Sequence, residues 1–169
     1  MTQTLTGSRK AAWLYGLALA CLLVDQATKQ AVRAMIDLGQ VFPVMPGFNL
    51  THVVNKGAAF SLLHGHVSLL VVISLGVALG IVAYERRRPS LSPWQTASLG
   101  ILLGGTVGNL IDRAVFGQVT DFLDVYVGAY HWPTFNVADI CINLGVLVLL
   151  VWTYRQPAPP HPPKEDSRR

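Results

Sequence analysis

Two stretches without a single Asp, Glu, Lys or Arg constrain this chain most: Gly57 to Tyr84, 28 residues, and Pro89 to Ile111, 23 residues. A bilayer core is crossed by about 20 apolar helical residues, so both stretches can span it. Two shorter runs flank them, Ala11 to Val24 and Ile140 to Tyr154, of 14 and 15 residues. Each reaches spanning length only by taking in ionisable groups, Asp25 and Lys29 in the first and Asp139 in the last. The expected fold is therefore a polytopic α-helical membrane protein with four transmembrane helices, near 11–32, 66–84, 93–113 and 136–155. Composition agrees: 51% of residues are hydrophobic and 13% charged, where a soluble domain carries roughly 25% charged. Two cysteines exclude a disulfide scaffold, and the apolar content excludes a disordered chain.

The charges that remain are sorted by position. Arg9, Lys10, Arg86, Arg87, Arg88, Arg155, Lys164, Arg168 and Arg169 are nine of the thirteen basic residues, and a four-span topology puts them on one side. The positive-inside rule makes that side cytoplasmic, with both termini. The net charge of +4 is then a topology signal rather than a nucleic-acid patch. Six of the nine acids, all Asp, fall at or near the other face. A cleaved signal peptide ending near Cys21 would fit Arg9-Lys10 and the run behind it, but it would put the basic tail on the wrong side. Residues 1–155 form one membrane-embedded domain, and the Pro-rich segment 156–169 reads as a disordered cytoplasmic tail.

Between the spans, residues 36–64 and 114–135 face outward. Val41-Phe42 and Phe48 to Val54 alternate and break like short strands, and 119–127 adds an extended piece. A small extracytoplasmic β-sheet and loop over the active site are expected at the membrane surface.

Several chemistries can be weighed from residue types. The five histidines and two cysteines show no zinc spacing, so no metal is expected. Lys56 and Ser61 could form a Ser–Lys pair, but a lysine base needs burial. Asn55-Lys56-Gly57 suits a polar hook at Asn55 with close backbone approach at Gly57. The acids carry the stronger signal, because intramembrane carboxylates are costly and mark function by default. Gly108-Asn109-Leu110-Ile111-Asp112-Arg113 closes the third span; on a helix Asn109 shares a face with Asp112 and Arg113. Asp112 beside Arg113 also fits a salt-bridged helix end, and Asp25 a local pair with Lys29. Asn136 is a natural cap for the helix that carries Asp139. Two carboxylates held close titrate unequally, which provides an acid and a base for activating water on an amide. Asp121, Asp112 and Asp124 are all candidate partners for Asp139.

The motifs Asp25-Gln26-Ala27-Thr28-Lys29, Asn55 to Ser61, Gly108 to Arg113, Gly117 to Phe122 and Phe135-Asn136-Val137-Ala138-Asp139 resemble those of bacterial lipoprotein signal peptidase, or signal peptidase II. They occur in that family's order across residues 10 to 155. The resemblance implies an intramembrane aspartic endopeptidase with Asp121 and Asp139 as catalytic dyad and no cofactor. It implies substrate-binding or supporting roles for Asp25, Lys29, Asn55, Gly108, Asn109, Asp112, Arg113, Asn136 and Ala138, and a short loop helix over the site. The implied partners are prolipoproteins bearing a diacylglyceryl-cysteine, cut just before that cysteine, and membrane lipids. The expected location is the bacterial cytoplasmic membrane, with the site at the extracytoplasmic face, in a monomer. The rival function is a small proton-coupled transporter, whose acids belong nearer the midplane; a purely structural subunit leaves the clustered aspartates unexplained.

Overall fold

A computed structural model describes residues 4–57 and 65–155. The order is β1 (Leu5–Thr6), α1 (Gly7–Met35), β2 (Val41–Met45), β3 (Phe48–Asn55), α2 (Val67–Arg87), β4 (Ser90–Leu91), α3 (Pro93–Phe116), β5 (Val119–Val127), β6 (Tyr130–His131) and α4 (Val137–Tyr154). All four helices are long and apolar enough to cross a membrane. The four expected helices are present, with α1, α2 and α3 running beyond the predicted ends. The Pro-rich tail, Ser61 and the rest of 58–64 lie outside the described residues, and no loop helix stands among those described.

The helix ends follow from local chemistry. Ser92 caps α3 through a reciprocal box with Gln95, and Pro93 at the first helical position supplies a pre-set φ. Gly117 ends α3 in the left-handed region at φ 68°, its N–H donating to Arg113 O. Asn136 caps α4 through a box with Asp139.

α3 is the hub. Half of its apolar stretch is buried, against 17% for each of the others, and α1, α2 and α4 all pack against it. Small residues allow this. A Cβ on Gly104 would lie 2.5 Å from Ala18 O on one side, and one on Gly105 would lie 2.5 Å from Ala138 O on the other. Lipid tails give helices no hydrophobic reason to associate, so close backbone packing and polar contacts must do it. The burial pattern is accordingly inverted from that of a soluble bundle. Leu19, Leu23, Leu79, Leu147 and Leu150 are exposed, while Asp25, Lys29, Asp112 and Asn136 are fully buried.

One end of the bundle carries an antiparallel sheet in the order β2-β3-β5-β6. Its strands confirm the expectation for 41–54 and 119–127. β3 and β5 pair with Val53 opposite Asp121 and Asn55 opposite Val119, so Asn55 and Asp121 are diagonal neighbours on one face. The other end carries a feature the sequence did not suggest. β1 pairs with β4, and Lys10 is buried against Glu85, Nζ to Oε1 3.1 Å, while also donating to the carbonyls of Glu85 and Arg88. This staple ties the start of α1 to the end of α2.

Candidate active site

β5 and α4 bring two acids from separate elements together. Phe135 bridges to Leu123 of β5, and both Phe122 and Leu123 donate their N–H to Phe135 O. The chain then enters α4 at Asn136, directly beside Asp121. Asn136 Nδ2 donates to Asp121 Oδ1 at 2.6 Å, and the Asn136 N–H donates to Asp139 Oδ2 at 3.2 Å. One asparagine therefore caps a helix and links both carboxylates. Asn55 Nδ2 donates to Asp121 Oδ2 at 3.0 Å, and Asn109 Nδ2 to Asp139 Oδ1 at 2.8 Å. Every carboxylate oxygen of the pair is addressed by a neutral donor.

Asp121 is 2% exposed. Burial first, then the charge of Asp139, pushes its carboxyl up to about 7, while Asn55, Asn136 and Lys29 pull it back only in part. Near neutral pH the pair thus holds a proton that an ordinary aspartate would have lost.

Beneath the pair lies a buried charge cluster. Lys29 Nζ is 2.8 Å from Asp25 Oδ2 and 3.4 Å from Asp112 Oδ2, and it donates to Asn109 Oδ1 at 2.8 Å. The local Asp25–Lys29 pair is real, but it is part of a larger network. Asp25 Oδ1 also accepts the Ala138 N–H at 2.8 Å, which locks α1 to the first turn of α4. Gly108 leaves the space for it: a Cβ there would lie 2.5 Å from Asp25 Oδ2. The alternative of an Asp112–Arg113 ion pair is corrected. Asp112 is met by Arg33 at 2.8 Å, by Lys29, by Gln26 and by the Thr120 N–H, whereas Arg113 turns to the Gly57 carbonyl at 3.0 Å. Consecutive helical residues point about 100° apart, so neighbours in sequence part company.

Asp124 is placed elsewhere. It sits opposite Asn49, whose Nδ2 donates to it at 2.8 Å, and 2.8 Å from His131 Nδ1. Burial raises its carboxyl, but the bonds from Asn49 and His131 outweigh that and hold it below the ordinary value. Lys56 is exposed at the rim of the cleft. Among the described residues no group of three or more His, Cys, Asp or Glu is arranged to hold a metal ion.

Sequence reasoning missed Arg33 and Gln26. Arg33 donates to Thr120 Oγ1 at 2.8 Å and lies over the Phe116 ring, tying α1 to the α3–β5 corner. Gln26 Nε2 reaches Asp25, Gly108 O and Asp112. The signal for Arg33 was its spacing: 25, 29 and 33 form one i, i+4 stripe, cut short by drawing the span only to 32.

Asp121, Asp139, Asn55 and Arg113 line a cleft of about 1240 Å³, larger than the usual small-molecule pocket. Its polar end lies under the sheet; Leu70 and Ile73 of α2 and Leu144 and Leu147 of α4 continue it along the apolar part of the bundle. A chain with a polar centre and an apolar extension fits that shape.

A family profile described as "Signal peptidase (SPase) II" matches residues 17–155. The chain belongs to the signal peptidase II family. It is 41% identical to the lipoprotein signal peptidase of Microcystis aeruginosa, over 86% of this chain and 94% of that protein. To the lipoprotein signal peptidase of Gloeobacter violaceus it is 43% identical, over 95% of each. Two solved structures, described as bacterial membrane enzymes determined by the in meso method, share the fold. One has a TM-score of 0.80 at 26% identity and covers 91% of this chain and 92% of its own; the other has 0.76 at 27%, covering 85% and 94%. The protein is a protease of this family and a multi-pass bacterial membrane protein. The transporter and structural-subunit alternatives fall with that membership.

Proposed function

We propose that this protein removes signal peptides from prolipoproteins that carry a diacylglyceryl-cysteine, cutting the bond just before that cysteine with water activated by Asp121 and Asp139. The observation that carries this reading is the pair of carboxylates, linked through Asn136, on the wall of a cleft with an apolar extension. One shared proton makes one aspartate the acid and the other the base. The ionised carboxylate takes a proton from water as its oxygen attacks the scissile carbonyl carbon, while the protonated one supports the developing oxyanion. Collapse of the tetrahedral species breaks the C–N bond, and the amine leaves with a proton from the dyad. No acyl-enzyme forms. Asn55, Asn109 and Asn136 hold the carboxylates in place, and the Lys29 cluster fixes the helices that bear them.

The orientation follows the charges. The end bearing Arg9, Lys10, Arg86–Arg88 and Arg155 faces the cytoplasm, so the sheet and dyad lie at the extracytoplasmic face. There the signal helix and lipid tails stay in hydrocarbon while the scissile bond meets water.

The test uses purified protein in lipid nanodiscs with a prolipoprotein, lipidated or not, and mass analysis of the products. The expected result is one cut before the cysteine, only in the lipidated substrate, unaffected by chelators or serine-directed reagents. Equal cutting of the unlipidated form contradicts the substrate; loss of cutting with chelator contradicts the mechanism.

A further inference from the structure

Away from the dyad, α1 and α2 each pack on α3 but make few contacts with each other. Between them runs a slot of about 350 Å³, walled by Ala18, Leu22, Ala78 and Val82 and floored by Gly104 and Val107, with only apolar surface. A helix about 10 Å across would use up that volume in about one turn, whereas a single acyl chain fits it.

The slot leads to the basic end. One turn beyond Ala18 and Val82 stand Tyr15 and Arg86, and Tyr15 Oη donates to Glu85 Oε2 at 3.4 Å. Arg86 and its neighbour Arg87 are exposed. Among the described residues of this end Glu85 is the one acid, and it is buried against Lys10. Among the described residues neither guanidinium group forms an ion pair. Trp13 and Trp94, 54% and 61% exposed, ring the same end, as aromatic side chains do at the headgroup level.

We infer that the α1–α2 slot binds one anionic phospholipid, its acyl chain lying between Ala18, Ala78 and Gly104 and its phosphate meeting Arg86 and Arg87. The arginines distinguish an anionic headgroup from a zwitterionic one, and the slot distinguishes a held lipid from the bulk annulus.

Native mass spectrometry of the full chain released from nanodiscs tests this, with phosphatidylglycerol and phosphatidylcholine of identical acyl chains as probes. Wild type should retain one phosphatidylglycerol, roughly 30-fold in preference to phosphatidylcholine. The double variant Arg86→Gln with Arg87→Gln should lose that preference. Ala78→Leu, which fills the slot, should lose retention of both lipids. Peptide cleavage reports folding of each variant, because none of these residues borders the dyad cleft. Equal retention of the two lipids by wild type overturns the anionic site. So does a double variant that keeps the preference. Unchanged retention in Ala78→Leu overturns the slot, and the surface arginine variants keep the test decisive if Ala78→Leu fails to fold.

Discussion

Asp121 is an acid on a strand, buried to 2% exposure beside a second acid, and its carboxyl stands at about 7. The unfolded chain would release that proton near the ordinary aspartate value, so the folded protein binds more protons in between and its stability falls as pH rises through that window. In the proposed mechanism the same proton is the one the reaction needs. Cleavage is therefore expected to decline above about pH 7, approaching tenfold per pH unit, in kcat/KM measured on lipidated substrate. A profile flat to pH 9 would contradict the shared proton. Lys29 acts at the same scale. It is fully buried between Asp25 and Asp112, and Lys29→Met would leave carboxylates without their central cation. Removing one partner of a buried ion pair costs about 3–5 kcal/mol. Thermal unfolding in detergent should show a large fall in Tm, with Arg33 softening the loss at Asp112.

At the scale of elements, two capping boxes offer a controlled comparison. Ser92→Ala and Asn136→Ala each remove an N-cap, worth about 1 kcal/mol. Only Asn136 also donates to Asp121 and Asn109 and orders Asp139. Asn136→Ala should lose more stability than Ser92→Ala, because it also strips buried bonds from Asp121 and Asn109, and it alone should lose cleavage, by about a hundredfold or more; equal activities would refute its positioning role. The elements themselves were largely legible. Charge-free runs mark α2 and α3, and alternation and breaks mark β2, β3 and β5. The site was legible in part. The aspartates stood out because acids are scarce in such a chain, yet nothing local distinguished Asp121 from Asp112 or Asp124 as the partner of Asp139. That choice is made by long-range contacts: the Leu123–Phe135 bridge sets Asp121 beside Asn136, Arg33 and Lys29 occupy Asp112, and Asn49 and His131 occupy Asp124. The β1–β4 ribbon was illegible, since two-residue strands leave no periodicity to find.

The whole molecule is a bundle turned inside out, with leucines outward and a charged, hydrogen-bonded seam along α3. Its ends differ. The basic end is tied by Lys10 and Glu85, and the other is roofed by the sheet over the cleft. On the proposed reading, this division would place the hydrolytic centre where water reaches it while the substrate's greasy parts remain in the bilayer. The central claim is that Asp121 and Asp139 together activate water. Single-turnover cleavage of a lipidated prolipoprotein by Asp121→Asn and Asp139→Asn, each shown to bind that substrate and to fold, tests it most directly. Each variant should lose essentially all cleavage, on the order of a thousandfold or more, while substrate binding persists. Cleavage near the wild-type rate by either variant would contradict the dyad.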